Sequence, residues 1–323
     1  MDLIYTDKNL KDIGVLKDYS LDFDMNVDKD FEIVVATDNP CTKIAQKGSF
    51  IYMEGTEYGG QVDSITINTQ ENKATIHGIN YRAMLNRKIV EPLENQDYRV
   101  VSGNITDIVN SLINEFQISD LFEFAECDLN INSFQFDRYT PFLDGIEKLL
   151  KKEGYVVELF YDNEKRKIII TSREIVDYSE LIEFSEDDRI NFVITQYFWR
   201  INHLICLGKG ELKDRTVIHL YADENGNISK TQSLFGLDEV AEVYDYASVE
   251  SDEELEEKGV EKFQELMNKD TFDITVDNID LKIGDIVGGT ERTTGIKCKD
   301  EITNIIVKIE NDILTSEYKI GGK

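Results

Sequence analysis

Three histidines, four cysteines and a large excess of carboxylates are the residues with which this chain of 323 residues could do chemistry. The histidines are His77, His203 and His219, and each falls inside a segment with strand periodicity. His203 shares a face with Trp199, Ile201, Ile205 and Leu207 at period two, which suits a hydrogen-bonded core imidazole better than a general base. Cys41, Cys127, Cys206 and Cys298 are far apart in sequence, with no C-x-x-C and no metal-ligand spacing, so no metal site is expected and buried reduced thiols are, with pairing through long loops the alternative. Carboxylate pairs such as Glu54 and Glu57 carry no glycosidase signal in a chain with 64 acids. G-x-S-x-G, H-E-x-x-H, a P-loop and a helix-opening G-x-G-x-x-G are all missing, so no catalytic residue and no cofactor is assigned.

The elements that would position any site are mostly strands. Tyr19, Leu21, Phe23, Met25 and Val27 alternate with polar residues, and strands are expected over Phe31 to Ala36 and Ser49 to Glu54. Gly59-Gly60 reads as a bend before a hairpin of Val62 to Asn68 and Lys73 to Ile79, with a short helical turn over Tyr81 to Leu85. The period then changes. Ser102 is a candidate N-cap for an amphipathic helix over about 103 to 116. Thr140-Pro141 opens a second helix, which Gly154 closes. A hairpin follows, Tyr155 to Tyr161 and Lys167 to Ser172, and strand character returns at Leu181 to Phe184.

The stretch from Phe192 to Tyr221 reads as two strands joined through Gly208-Lys209-Gly210, a hinge between two β modules. Beyond it, Ser251 and Glu254 make a capping box for a helix over 251–268, with acids suited to its positive end. Phe272 to Val276, Ile279 to Ile283, Ile305 to Ile309 and Leu314 to Ile320 form a β meander with turns at Gly284-Asp285 and Asn311-Asp312. The fold class expected is α+β, predominantly β. Its division is a discontinuous β domain, 1–95 plus 180–209, an α/β insert of two helices and a hairpin at 96–179, and a second β domain at 210–323.

The net charge of −29, from 35 basic and 64 acidic residues, argues against binding nucleic acid or an anionic membrane. It fits either a solubilising surface or an acidic channel wall past which a polyanion slides. No run approaches the ~18 apolar residues of a membrane span. The first residues lack a secretory pattern, so synthesis in a cytoplasm is expected.

In order along the chain, GTEYGGQVDSITIN, HGINYRAMLNRKIVEP, DYRVVSGNITDIVNSLI, DGIEKLLKKEGYVVELFYDNEKRKIIIT, INHLICLGKGELKDRTV and IDLKIGDIVGGTERTTGIKCKDEITNIIVKI resemble the hub proteins of phage tail baseplates. The nearer resemblance is to hubs of contractile tails, defective-prophage particles and R-type bacteriocins of Gram-positive bacteria. It covers the chain from about residue 45; residues 1–44 match only in general strand character. It implies two tail-tube-like β-barrel domains per chain and a homotrimer whose pseudo-six-fold ring joins a hexameric tail tube protein to a three-fold central spike protein. Baseplate wedge and tape-measure proteins are further partners it brings into view. The particle would be assembled in the bacterial cytoplasm, and the chain would sit in the baseplate of a virion or bacteriocin, with no membrane insertion. On this reading Gly59, Gly60, Gly208, Gly210, Gly284 and Asp285 are turn formers that hold barrel strands in register. A tail-associated peptidoglycan hydrolase is the alternative, and a cytosolic scaffold a third.

Overall fold

The computed structural model describes residues 2–25, 30–179, 183–184, 191–195, 200–249, 251–267, 271–276, 281–290, 295, 297–311 and 313–321. The chain divides into two compact units: Met1–Asn191 with Thr275–Tyr318 (unit 1), and Phe192–Ile274 with Lys319–Lys323 (unit 2).

Unit 1 is built on an antiparallel sheet in the order Lys297–Glu310, Ser20–Asp24, Asp30–Ala36, Lys73–Asn80, Gly59–Asn68, Phe50–Met53, Leu3–Thr6, Asp12–Val15. Alternation sets its register: Leu21, Phe23, Phe31, Ile33 and Val35 are buried, while Asp22 and Glu32 face water. A bulge between Val62 and Ser64 adjusts the hairpin of Gly59–Asn68 and Lys73–Asn80, which Asn72 turns at φ 55°. Among the described residues no ladder closes this sheet into a barrel. The predominantly β, α+β character expected from sequence is present.

Three helices pack within unit 1: α1 (Tyr81–Asn86), α2 (Ile105–Glu115) and α3 (Phe142–Lys152). Asn104, two residues past the expected Ser102, caps α2 by accepting from the Thr106 N–H at 2.8 Å, because residues 99–104 are held as a strand against Asn130–Phe136. Pro141 stands immediately before α3, and Gly154 takes φ +84° beyond its last turn. The hairpin Tyr155–Asp162 and Lys167–Glu174 forms as the sequence indicates, and Phe122–Phe124 joins it in parallel. One core runs from Phe50, Tyr52 and Tyr81 through Leu112, Phe142 and Leu149 to Leu159 and Ile170, so segment 96–179 shares its core with the sheet. Each such side chain contributes about 1.5–3 kcal/mol on full burial.

The C-terminal strands differ most from expectation. Lys297–Glu310 pairs with Ser20–Asp24, Val307 opposite Phe23, and therefore belongs to unit 1. Asn304 reinforces the pairing by donating to the Asp24 carboxylate at 2.8 Å. No local periodicity reports a partner that far away in sequence.

Asp177 ties the end of the hairpin module to the same strands. It bridges Ile286 in parallel, and its carboxylate accepts from the Ser179 N–H and pairs with Lys299 Nζ, both at 2.9 Å. The Ser179 hydrogen bond and the Lys299 ammonium hold the Asp177 carboxyl down to about 2. A depressed folded value means stability that is present above the unfolded carboxyl value of about 4 and disappears as pH falls through about 2. Urea titrations of wild type and Asp177→Asn are therefore expected to differ above about pH 4 and to converge near pH 2. A pH-independent difference would contradict this.

Unit 2 centres on a mixed sheet in the order Ile228–Ser229, Val217–Ala222, His203–Leu207, Ala241–Asp245. His203–Leu207 runs antiparallel to Val217–Ala222 and parallel to Ala241–Asp245. Both strands of the expected hinge thus lie inside one unit and form its core. Helix α4 (Asp252–Met267) covers one face through Leu255 and Phe263, and Ser251 Oγ caps it by accepting from the Glu254 N–H at 3.2 Å. A Cβ on Gly259 would lie 2.6 Å from Cys206 Sγ, so that glycine lets the helix sit close on the strand. Burial pushes the Cys41 and Cys206 thiols up to about 11, and Cys41, Cys127 and Cys206 are free. Trp199, Leu181 and Ile279, named in the strand readings, lie outside the described residues.

Candidate functional site

The most concentrated polar chemistry of unit 1 surrounds Arg82. Asn80 caps α1 by accepting from the Ala83 N–H at 2.7 Å, which sets the helix so that Arg82 points inward. Its guanidinium, 4% exposed, forks onto Glu57 (Nε 2.5 Å, Nη2 3.1 Å), reaches Glu147 at 2.8 Å and donates to the Val157 carbonyl at 3.2 Å. Burial pushes the Glu57 carboxyl above its ordinary value, with the Arg82 charge pulling the other way. For Arg82 burial is opposed and outweighed by Glu57 and Glu147, which raise it.

Val157 lies on the outer strand of the hairpin sheet, whose free edge is thereby engaged. The loop before Gly59 does the rest: Gly55 N–H donates to Tyr161 O at 3.1 Å, and Tyr161 N–H to Thr56 O at 3.2 Å. Beside this edge opens a cleft of about 390 Å³ lined by Thr56, Glu57, Arg82, Glu158, Phe160 and Lys282, among others.

A second cluster, around Arg173, meets the cleft at Glu158, Lys282 and Ile283. Arg173 donates to Glu158 at 2.6 Å, to Asp285 at 2.7 Å and to the Ile283 carbonyl at 3.0 Å. Lys282 Nζ is 2.9 Å from Glu158, and the Lys282 N–H donates to Asp285 at 2.9 Å. Burial pushes the Glu158 carboxyl up, but Lys282 and Arg173 outweigh it and hold the group below its ordinary value. Every cation here is matched to a carboxylate or carbonyl. The arrangement fixes a strand edge and a turn, and among the lining residues no nucleophile stands beside a base.

In unit 2, His203 is buried as its shared face indicates. Its Nδ1 lies 2.6 Å from Glu239 Oε1 and its Nε2 2.8 Å from His219 Nδ1, with the Tyr221 ring stacked on it at 4.4 Å. With Nδ1–H donating to Glu239, Nε2 accepts from His219, a chain able to pass a proton but with no hydroxyl or thiol joined to it among the described contacts. Cys206 faces the opposite, α4-covered side. His77 lies in strand Lys73–Asn80, 3.8 Å from Glu32.

The glycines expected as turn formers play several parts. Gly59 and Gly60 lie within a strand, between Phe50–Met53 and Lys73–Asn80, where the backbones approach too closely for a side chain. Gly208 accommodates Leu255 and Val249. Gly210 and Gly284 adopt φ +99° and +89°, conformations that glycine alone enters without strain. Asp285, 2% exposed, anchors its turn through the Arg173 pair. Arg82 and Arg173 carried no sequence signal: each is one basic residue in an amphipathic element, and the carboxylates they meet lie 15 to 112 positions away.

This architecture is the one found in phage tail proteins. The 43 kDa tail protein of prophage MuSo2 from Shewanella oneidensis aligns with a TM-score of 0.63 at 11% identity, over 99% of this chain and 98% of that one. The tail protein from Neisseria meningitidis MC58 gives 0.58 at 13% identity over 99% and 96%. Prophage tail protein gp18 from Listeria monocytogenes EGD-e gives 0.54 at 14% identity over 100% and 95%. The chain belongs to the family of siphovirus ReqiPepy6 Gp37-like proteins, whose model matches residues 3–322. No curated protein matches it.

Proposed function

We propose that the chain is the structural hub of a tail baseplate, acting through interfaces rather than through a reaction. In this reading three copies make a pseudo-six-fold ring that joins a hexameric tail tube to a three-fold central spike. Membership of a family matched from residue 3 to 322, together with a tail-protein fold over the whole chain, carries the proposal. The two-module reading supports it: two β-rich units in each of three chains supply six similar positions, and rings of heterologous contacts close by rotation. In this proposal the modules are the two compact units described above rather than the expected division at 95/96, 179/180 and 209/210, whose last boundary would part the paired strands His203–Leu207 and Val217–Ala222.

The tail tube and spike proteins are the proposed partners, with wedge and tape-measure proteins at the rim. Assembly in the bacterial cytoplasm, a contractile tail and an R-type bacteriocin setting are expectations from the same resemblance. The hub role itself needs only a tube and a tip, with or without a contractile sheath. The net charge of −29 suits a lumen that lets a polyanion pass. No observation favours the peptidoglycan hydrolase.

Light scattering across a concentration series tests the reading. The expected result is a species of three times 37.2 kDa. A closed dimer, or release of peptidoglycan fragments by the pure protein, would count against it.

A further inference from the structure

The outer edge of strand Tyr155–Asp162 is held at two points and open between them. Tyr161 turns its N–H and its C=O off the hairpin sheet, to Thr56 O at 3.2 Å and Gly55 N at 3.1 Å, and the Val157 carbonyl accepts from Arg82 at 3.2 Å. Backbone groups of an antiparallel strand alternate between its two sides, so Leu159, midway between those points, turns both of its own the same way. Ile170, opposite it in the ladder, turns away on the far side and accepts from the Ala125 N–H at 2.8 Å. Among the described contacts neither the N–H nor the C=O of Leu159 has a partner, although the residue is only 4% exposed. Both lie where Leu159 lines the cleft, whose 390 Å³ falls within the roughly 300–1,000 Å³ of ligand sites. A buried backbone donor and acceptor without partners is rare and costs stability.

We infer that the cleft receives a short extended segment of a partner polypeptide, which pairs with the Leu159 backbone and sets a lysine or arginine beside Glu57. The open edge selects the form of the occupant. One residue of an added strand exchanges both hydrogen bonds with Leu159, as in other cases where a peptide extends a sheet. The distance from Val157 to Tyr161, about 13 Å at ordinary strand rise, limits it to a few residues. Tyr58, Leu281 and Ile305 line the cleft and give that segment apolar contact. Charge selects the residue. In the two clusters that meet the cleft, Glu57, Glu147, Glu158 and Asp285 oppose Arg82, Arg173 and Lys282, which leaves one carboxylate in excess. Burial raises the Glu57 carboxyl, and an incoming cation favours its ionised form. An acidic segment would meet like charge there. The site lies wholly within unit 1 and does not depend on how many copies assemble.

Residue-resolved hydrogen exchange of the full chain tests it, with pools of acetylated, amidated pentapeptides as probes. Their outer positions mix Val, Ile, Leu and Thr, and the centre is lysine in one pool and glutamate in the other. Without peptide, the Leu159 N–H should exchange ahead of the ladder-bonded Glu158 and Phe160 N–H groups. The lysine pool is expected to slow Leu159 exchange about tenfold, and the glutamate pool and a backbone-N-methylated lysine pool to leave it unchanged. Glu147→Gln, which keeps an acceptor for Arg82 while removing the excess charge, should cut the preference for lysine severalfold. A Leu159 N–H that exchanges no faster than its neighbours, or that no pool protects, would overturn the site and leave the hub reading standing. Equal protection by the lysine and glutamate pools would overturn the basic residue, and protection that survives backbone methylation would overturn the strand pairing.

Discussion

Gly60→Val is expected to abolish stable folding of unit 1. Gly60 sits in a strand paired on both sides, with Ile51 and with Asn80. A Cβ there would lie 2.0 Å from the Ile79 carbonyl oxygen, 2.8 Å from its carbon and 2.9 Å from the Phe31 ring. Two of those atoms are backbone and cannot rotate away. Gly78, on the neighbouring strand and opposite Phe31, has its Cβ position only 2.1 Å from Phe31 Cζ, so the two glycines make the floor on which the Phe31 ring lies. The loss should exceed about 4 kcal/mol, at the extreme of single substitutions. Gly284→Ala should be milder: its clash at 2.3 Å is with the Val156 side chain, and Val156→Ala relieves it while leaving about 1–2 kcal/mol of positive-φ strain. Soluble yield and urea midpoints read both. A Gly60→Val protein with the wild-type midpoint would show that the strand spacing is not as described.

Arg82→Met is expected to destabilise unit 1 by about 3–5 kcal/mol, because it leaves the buried Glu57 carboxylate without its counter-charge and Val157 O without a donor. At about 2–4 °C per kcal/mol for a unit of this size, the melting temperature should fall by roughly 10 °C. Pairing the change with Glu57→Gln removes the stranded charge and should recover much of the loss, since removing both partners costs less than removing one. A loss below about 1 kcal/mol would mean that water reaches the pair and screens it.

What the sequence discloses and what it conceals divide along range. Leu21 and Phe23, the Tyr155–Asp162 hairpin and the Ser251 cap are legible because period two, a polar turn and a capping box are all local. Leu3–Thr6, Asp12–Val15 and Ala241–Asp245 escape because four or five residues give too short a period, and the latter two keep most of their side chains in water. The cap of α2 falls at Asn104 rather than Ser102 because pairing with Asn130–Phe136 holds the intervening backbone extended. Glu57 is one acid among 64 until the fold brings Arg82 against it. The placement of Lys297–Glu310 beside Ser20–Asp24 depends on a contact that spans most of the chain, and no window of local sequence contains it.

Imaging the purified assembly by electron microscopy tests the hub most directly. The account expects three-fold class averages with six similar lobes around a central opening. Two-fold particles, or compact three-fold ones without an opening, would contradict it.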